Sequence, residues 1–382
     1  MALTDKLSAI GDAIREKTNT SALLPLDSMP SLIRSIQTGS TNTFGIPDDI
    51  TTEAERVATS ILSKKTGNSI TFIAMSDMHE MGDSDHSDAN IIERYRRANR
   101  NAGQGARVIA EKISPDFFAN LGDLSWYSSA TTTHDWAQSI VNARGYTAGI
   151  EPLTECFFIP GNHDVGYNAG YFDENLVVGM IGNYRYKDFT SKKVRVICLN
   201  TADNTDGTDS CERVSGEQLQ WFCETLDLSA KSDAAKWSII ILSHHPLDWG
   251  NIKPAANALA AYVNGTSYSA THDSMSISYD FNGKNAAEVI ANFHGHVHCF
   301  NVSNIIGTEV KRIAIPNACY GRTNEYGEDG NTTFGDSTSY EKTDDSTGKN
   351  TAFNVASIDL TQKIIYADCF GAGYDRIISY GT

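Results

Sequence analysis

The chain has 382 residues, 40% of them hydrophobic, which is enough for one large domain or two ordinary ones around a hydrophobic core. Its 31 lysines and arginines are outnumbered by 47 aspartates and glutamates. The formal net charge of −16 makes duplex DNA and anionic membranes poor partners. No apolar run approaches the ~20 residues that a membrane span needs. The opening segment lacks the basic and then apolar pattern of a signal peptide, so export by that route is not expected.

The seven cysteines are odd in number and show no Cys-x-x-Cys spacing. Cys156, Cys198 and Cys369 lie in apolar, strand-like runs. This pattern favours buried reduced thiols over a disulfide framework.

Residues 1–49 have the pattern of a small helical module followed by a linker. Two stretches have apolar residues at helical spacing, Leu7, Ile10 and Ile14 after Thr4, and Leu32, Ile33 and Ile36 after Met29-Pro30. From Thr38 to Asp49 the chain is rich in Ser, Thr, Asn, Gly and Pro, as linkers are. Two short helices bury little surface, so we expect them to pack on the main domain, self-associate or bind a partner.

The same segment resembles a helical module at the start of some tail-associated proteins of phages and prophages of Gram-positive bacteria. The resemblance lies in the run from Ala9 to Thr18 and in Met29-Pro30. It implies self-association or assembly into a particle, and a cytoplasmic or phage-particle location. The alternative is a helical arm that only packs.

A second domain is expected to begin near residue 50 and to span residues 50–382. Thr52 and Glu55 form a capping box for a helix through Val57 and Ile61. Gly67-Asn68 then turns the chain into a strand.

Five apolar runs in this domain end abruptly in His, Asp or Asn. They are Ile70–His79, Phe117–Asp123, Phe157–Asp164, Ile239–Pro246 and Val289–His298. Seven of the ten histidines in the chain fall in these endings, outside which lie only His86, His134 and His272. In open α/β sheets the loops after the strands hold ligands, so these endings predict a site built from imidazole and carboxylate groups.

In this order the endings Asp-x-His, Gly-Asp, Gly-Asn-His-Asp, His-His-Pro and Gly-His-x-His resemble the calcineurin-like metallophosphoesterase family over residues 69–300. The resemblance implies an α/β fold, a two-layer β-sandwich flanked by helices, with two divalent ions at the strand ends. The same fold is expected from alternating strand and helix patterns. The family resemblance assigns Asp77, His79, Asp123 and His298 to the first ion. The second ion is assigned to Asp123, Asn162, His244 and His296. Asp123 would bridge the ions, which repel each other and need shared negative charge. Nitrogen and oxygen ligands admit Mn, Fe, Zn, Co or Ni.

The resemblance also makes His163 the acid that protonates the leaving oxygen, with Asp164 orienting its ring. A metal-bound hydroxide would attack phosphorus in line. The alternative for Asp164 is that it caps the following turn. His245 and His294 are off the matching positions, and we expect structural or supporting roles for them.

Other residues near the motifs have weaker signals. Several aromatic and amide side chains could contact a leaving group or simply pack, namely Trp126, Tyr127, Tyr167, Asn168, Tyr171 and Trp249. Asp83 to Asp88 could bind a cation, but a solvated acidic loop is the favoured interpretation. Arg322 could bind a phosphoryl oxygen or be an exposed structural residue.

Strands are predicted over Val310–Ile315, Phe353–Leu360 and Lys363–Phe370, the last two as a hairpin, and we expect them to finish the second sheet. Asn324 to Thr351 is predicted to be a long surface loop. The predicted function is metal-dependent hydrolysis of a phosphoester, with a phosphodiester favoured over a monoester. The rival is an assembly or surface protein that binds a phosphate-containing polymer without turnover.

Overall fold

Two six-stranded β-sheets form the centre of the part of the chain that the structure describes. The structure is a computed structural model, and it describes residues 46–126, 133–165, 179, 181–203, 212–320 and 348–381. The N-terminal module predicted over residues 1–49 lies outside the described residues except for its last four.

Helices and strands alternate along most of the described chain. The helices are α1 (Asp48–Lys64), α2 (Ala89–Ile113), α3 (Thr133–Thr147), α4 (Asn162–Val165), α5 (Gly216–Leu226) and α6 (Lys253–Asn264). The first strands are β1 (Ser69–Met75), β2 (Phe117–Asn120), β3 (Glu155–Phe158), β4 (Arg185–Phe189), β5 (Val194–Cys198) and β6 (Ser238–Ser243). The remaining strands are β7 (Ser267–His272), β8 (Met275–Asp280), β9 (Glu288–His294), β10 (Asn301–Asn304), β11 (Lys311–Ala314), β12 (Ala352–Asp359), β13 (Ile364–Gly371) and β14 (Arg376–Ser379).

The first sheet has the order β14-β13-β12-β1-β2-β3, and the second has the order β10-β11-β9-β6-β5-β4. Each contains a parallel segment, β1-β2-β3 in one and β5-β6-β9-β11 in the other. Strands β7 and β8 form a separate hairpin. The five predicted endings follow β1, β2, β3, β6 and β9, which all belong to the parallel segments. Because parallel strands place their carboxyl ends at the same edge of a sheet, the endings of each sheet lie together at one edge.

The two sheets pack face to face through side chains at alternate positions of their strands. Phe72 of β1 stacks on Phe117 of β2 at 4.5 Å between ring centroids. Its edge meets Phe293 of β9 in the other sheet at 5.0 Å. All three rings are fully buried or nearly so. Burial of one such side chain stabilises the fold by about 1.5–3 kcal/mol.

Helices cover both outer faces and give four layers. On the second sheet, Ile239 and Ile241 share a buried cluster with Leu219 of α5 and Leu259 of α6. On the first sheet, α2 lies so close to β13 that a Cβ on Gly105 would approach the Phe370 ring to 2.5 Å. The predicted α/β sandwich flanked by helices is therefore confirmed.

Two local predictions are wrong. Helix α1 begins at Asp48, so Thr52 lies inside the helix instead of capping it. The predicted hairpin is present as β12 and β13, but it completes the first sheet, because β12 pairs antiparallel with β1. Of the C-terminal strands, β11 alone joins β9 in the second sheet as expected.

Among the described helices, none combines the length and the apolar character needed to cross a membrane.

Candidate metal centre

The loops that follow β1, β2 and β9 hold the site with an unusual backbone conformation. Five of the seven predicted metal ligands have positive φ angles: 54° at Asp77, 44° at His79, 52° at Asp123, 68° at His296 and 53° at His298. This left-handed region costs most L residues about 1–2 kcal/mol each, although Asp, Asn and His enter it more readily than others. Such strain persists only where surrounding structure holds it, and it is concentrated at functional sites.

Backbone hydrogen bonds between two of these loops hold the conformation. The amide of Asp77 donates to the carbonyl of Gly122 at 2.9 Å, and the amide of His79 donates to the carbonyl of Asp123 at 2.9 Å. The ladder continues as Glu80 and Trp126 bond to the opposite loop. The loops after β1 and β2 therefore place Asp77, His79 and Asp123 as one unit.

Asp77, His79 and His298 form the first group of donors. The Nε2 atoms of His79 and His298 lie 3.0 Å apart. Oδ1 of Asp77 lies 3.3 Å from Nε2 of His298 and 3.9 Å from Nε2 of His79. One ligand atom from each residue falls within 4.8 Å of the others. A cation between the two rings would accept a lone pair from each Nε2, in place of the contact that these atoms make with each other.

Asn162, His244 and His296 form the second group. Oδ1 of Asn162 lies 2.9 Å from Nε2 of His244 and 3.0 Å from Nδ1 of His296. The other ring nitrogen of His244 is 2.9 Å from the carbonyl oxygen of Leu121. A hydrogen bond there directs Nε2 into the site, as a backbone carbonyl commonly does for a metal-binding histidine.

Asp123 lies between the two groups. Its Oδ2 is 3.2 Å from Nε2 of His244 in the second group and 3.7 Å from Nε2 of His79 in the first. Its Oδ1 accepts a hydrogen bond from the backbone amide of His163 at 2.8 Å. The carboxylate is buried. One carboxylate oxygen therefore lies within 3.7 Å of a nitrogen in each group, and the bridging role stays a prediction.

The electrostatics of the cluster favour charged carboxylates and mostly neutral imidazoles. Burial would raise the pKa of Asp123, but the neighbouring His244 and His163 outweigh it and hold that pKa well below its usual range. Burial, reinforced by His244, lowers the pKa of His296 to about 3. Burial, reinforced by His163, lowers the pKa of His79 well below its ordinary value. Ionised carboxylates and neutral imidazoles are the forms that bind metal ions.

Three glycines let the backbone approach the donors closely. A Cβ on Gly161 would lie 2.2 Å from Oδ1 of Asp123, and one on Gly295 would lie 2.7 Å from Oδ2 of Asp77. A Cβ on Gly122, whose φ is 104°, would lie 2.6 Å from Nδ1 of His244. Each glycine thus leaves room for a predicted ligand, a function that the motif spacing alone did not reveal.

His163 reaches the centre from the short helix α4. Its ring centroid is 4.6 Å from that of His79, and ligand atoms of His79, Asp123 and His163 lie within 4.8 Å of one another. Burial lowers the pKa of His163, and Asp123 opposes that shift. The ring therefore lies beside His79 of the first donor group and beside Asp123, and its role as an acid stays a prediction.

Asp164 supports the turn that carries His163. Its Oδ1 accepts from the amide and hydroxyl of Ser125 at 2.9 and 3.2 Å, and its Oδ2 accepts from the amide of Gly161 at 2.9 Å. Neither donor lies in the turn that follows Asp164, which the alternative expected it to cap; the bonds tie the Gly161 turn to the loop after β2. The role of Asp164 in orienting the His163 ring remains a prediction.

The structure also locates the less certain candidates. Trp126 lies 5.7 Å from His79 and 6.0 Å from His163, and Trp249 lies 5.5 Å from His296, all between ring centroids. Both tryptophans therefore flank the donors. The remaining candidates, Tyr127, Tyr167, Asn168, Tyr171 and Arg322, lie outside the described residues. The same holds for most of the predicted loop from Asn324 to Thr351.

The three aspartates of the acidic loop before α2 bind neighbouring groups of the protein. Asp83 pairs with Arg96 at 2.7 Å, Asp85 accepts from the amide of Gly82 at 2.8 Å, and Asp88 caps α2 through the amide of Asn90. Asp83 and Asp88 are exposed, as a solvated loop requires, whereas Asp85 is buried and belongs to the turn at Gly82.

Two supporting residues were missed by the sequence. The carbonyl of Leu121 contacts Nδ1 of His244 at 2.9 Å. The hydroxyl of Thr201 contacts Nδ1 of His245 at 3.1 Å. A backbone carbonyl has no sequence signal, and Thr201 comes from the loop after β5, which has no motif.

Comparison with known proteins agrees with this geometry. Residues 70–300 match the model of the calcineurin-like phosphoesterase family. A dimetal phosphatase from Danio rerio aligns with a TM-score of 0.51 and 13% identity, covering 82% of this chain and 99% of its own. The structure of PhoD aligns with a TM-score of 0.40 and 13% identity, covering 82% of this chain and 72% of its own. No curated protein matches the chain.

The fold and the clustered His and Asp side chains define a phosphoesterase-type α/β sandwich with candidate metal-binding groups. Since the family model covers more than half of its length, the chain belongs to the calcineurin-like phosphoesterase family. This family depends on a dinuclear metal centre, and the donor groups described above fit two divalent ions.

Proposed function

We propose that this chain hydrolyses a phosphoester with two divalent cations, and that phosphodiesters are preferred to monoesters. The observation that supports it most is that Asp123 lies between two groups of nitrogen and oxygen donors, with His163 beside Asp123 and His79. The net charge of −16 gives a reason for the preference, because a monoester dianion has twice the charge of a diester and is repelled more strongly.

Asp77, His79 and His298 would hold the first ion, Asn162, His244 and His296 the second, and Asp123 would contact both. When bound, the ions supply Lewis acidity toward the phosphoryl oxygens and toward the attacking water. Of the known options, Mn, Fe, Zn, Co and Ni suit this donor set.

His163 has the role of proton donor. Its backbone amide is fixed to Asp123 at 2.8 Å, and Asp164 holds the same turn through Ser125 and Gly161. A backbone held in this way supports the role, because the imidazole could then give a proton to the departing oxygen without rearrangement of the turn. General acid catalysis of this kind contributes about 10²–10⁴-fold to the rate.

The test compares wild type with His163→Ala on bis(p-nitrophenyl) phosphate and p-nitrophenyl phosphate, after loading with Mn, Zn or Co. The variant should retain both ions and lose about 10²–10⁴-fold in kcat. His134→Ala, an exposed histidine of α3, is the matched control and should behave like wild type. Metal binding without turnover of either ester by the wild type would favour the rival, a protein that binds a phosphate-containing polymer.

A role of residues 1–49 in self-association or particle assembly remains part of the proposal.

A further inference from the structure

His245 is a fully buried histidine beside the second group of donors that the proposed ligand sets leave unused. Its ring centroid lies 4.4 Å from that of His296 and 4.7 Å from that of His244. One ligand atom from each of these three histidines falls within 4.8 Å of the others. His294, equally buried at the end of β9, belongs to none of the metal-binding groups found among the described residues.

Every polar atom of His245 but one has a hydrogen-bond partner. Its amide donates to Oγ1 of Thr201 at 3.0 Å, and its carbonyl accepts from the hydroxyl of Ser243 at 2.8 Å. Ring atom Nδ1 lies 3.1 Å from the same Thr201 hydroxyl. Nε2 is buried and has no hydrogen-bond partner among the described residues.

A buried polar atom without a partner is destabilising, because nothing replaces the hydrogen bond that it made to water in the unfolded chain. Because Thr201 fixes Nδ1, the ring cannot turn to relieve this cost without losing another hydrogen bond. Fixing one ring nitrogen to an oxygen while leaving the other toward a cluster of donors is the arrangement that metal-binding histidines adopt.

We propose that His245 is a further nitrogen ligand of the second ion. This inference rests on the proposed dinuclear centre and changes its composition. Besides Asp123, which both sites share, the second site then has three imidazoles and the amide oxygen of Asn162. The first has two imidazoles and the carboxylate of Asp77. Imidazole suits Zn, Fe and Ni, whereas carboxylate suits Mn. The two sites are therefore unequal, and the second selects a softer cation than the first.

The test titrates the metal-free full-length chain with Zn and with Mn by calorimetry, for wild type, His245→Asn and His294→Asn. Asparagine retains a polar atom near the position of Nδ1, and so the contact with Thr201, but it lacks Nε2. In His245→Asn the second Zn should bind at least about tenfold more weakly, with the first ion and the His294→Asn control unchanged. Affinities of both ions within about twofold of wild type would overturn the proposal.

A measurement on the wild type decides the case if His245→Asn does not fold. In the cadmium-loaded protein, heteronuclear NMR with labelled histidine nitrogens counts the imidazoles that are coupled to metal. Coupling of five, from His79, His298, His244, His245 and His296, supports the proposal, and coupling of only the other four overturns it. Four coupled imidazoles with two bound ions would refute only the ligand role of His245, whereas failure to bind two ions would refute the proposed function as well.

Discussion

Gly161 offers the sharpest test of how the backbone holds the metal centre. A methyl group added here by Gly161→Ala would lie 2.2 Å from Oδ1 of Asp123 and 2.4 Å from its backbone nitrogen. Real Cβ contacts are essentially never shorter than 3.0 Å, so one side must move by about 0.8 Å, the difference between 3.0 and 2.2 Å. The backbone nitrogen of Asp123 is hit as well, so rotation of the carboxylate alone cannot relieve the clash.

We expect Gly161→Ala to damage the site more than the fold. Overpacking of this kind costs about 1–3 kcal/mol of unfolding free energy. A displacement approaching 1 Å of a group that positions reactants can cost about 10²-fold in rate. The assay combines metal stoichiometry, thermal unfolding and kcat/KM on bis(p-nitrophenyl) phosphate. The matched control is Gly145→Ala in α3, where nothing lies within 4 Å of the added methyl, and stability should rise by up to about 1 kcal/mol.

A Gly161→Ala protein that binds two ions with wild-type affinity and turns over within about twofold of wild type would refute the reasoning. That result would mean that the loop after β3 adjusts freely around Asp123, and that Asp123 is not held where the structure places it.

Three further predictions follow from other parts of the structure. Lys64→Met should lower the free energy of unfolding by about 3–5 kcal/mol in chemical denaturation, because it leaves the fully buried Asp368 without its partner at 2.6 Å. The control Lys112→Met removes an exposed pair with Glu55 and should cost less than about 1 kcal/mol. Equal losses would contradict this. Burial raises the pKa of Cys198 and of Cys223 to about 12, so a disulfide reagent at pH ~8 should label these thiols only after unfolding, as mass spectrometry can show. Binding of paramagnetic Mn or Co should quench the fluorescence of Trp126, 5.7 Å from the His79 ring, and Trp126→Phe should lose part of that quenching while retaining metal.

The sequence predicted the fold class and the strand ends because both depend on local signals. Each apolar run that ends in His or Asp is a strand with a loop after it, and the six free cysteines of the described residues agree with the predicted reduced thiols. The partner of a strand has no local signal. The hairpin of β12 and β13 was therefore expected in the second sheet, although it pairs with β1 in the first.

The candidate site was predictable as a set of residue types but not as a geometry. Motif order identified the residues, and the structure brings Asp77, Asp123, Asn162, His244 and His296 into one cluster. The backbone features that bring them together depend on φ angles and on contacts between loops. The buried Nε2 of His245 likewise depends on Thr201, which lies more than forty residues away in the chain.

Positive φ angles lower the thermal stability of the metal-free protein at the same residues that are predicted to bind metal. These residues are Asp77, His79, Asp123, His296 and His298. At no more than about 1–2 kcal/mol each, because Asp and His enter this region more readily than most residues, their sum is still a sizeable part of the net stability of an ordinary domain. Alanine at these positions would keep the Cβ that causes the penalty, whereas glycine would remove it. A chain relaxed by glycine at His298 should therefore melt at a higher temperature without metal than its parent does, while having one ligand fewer. Selection for heat resistance alone would erode this centre.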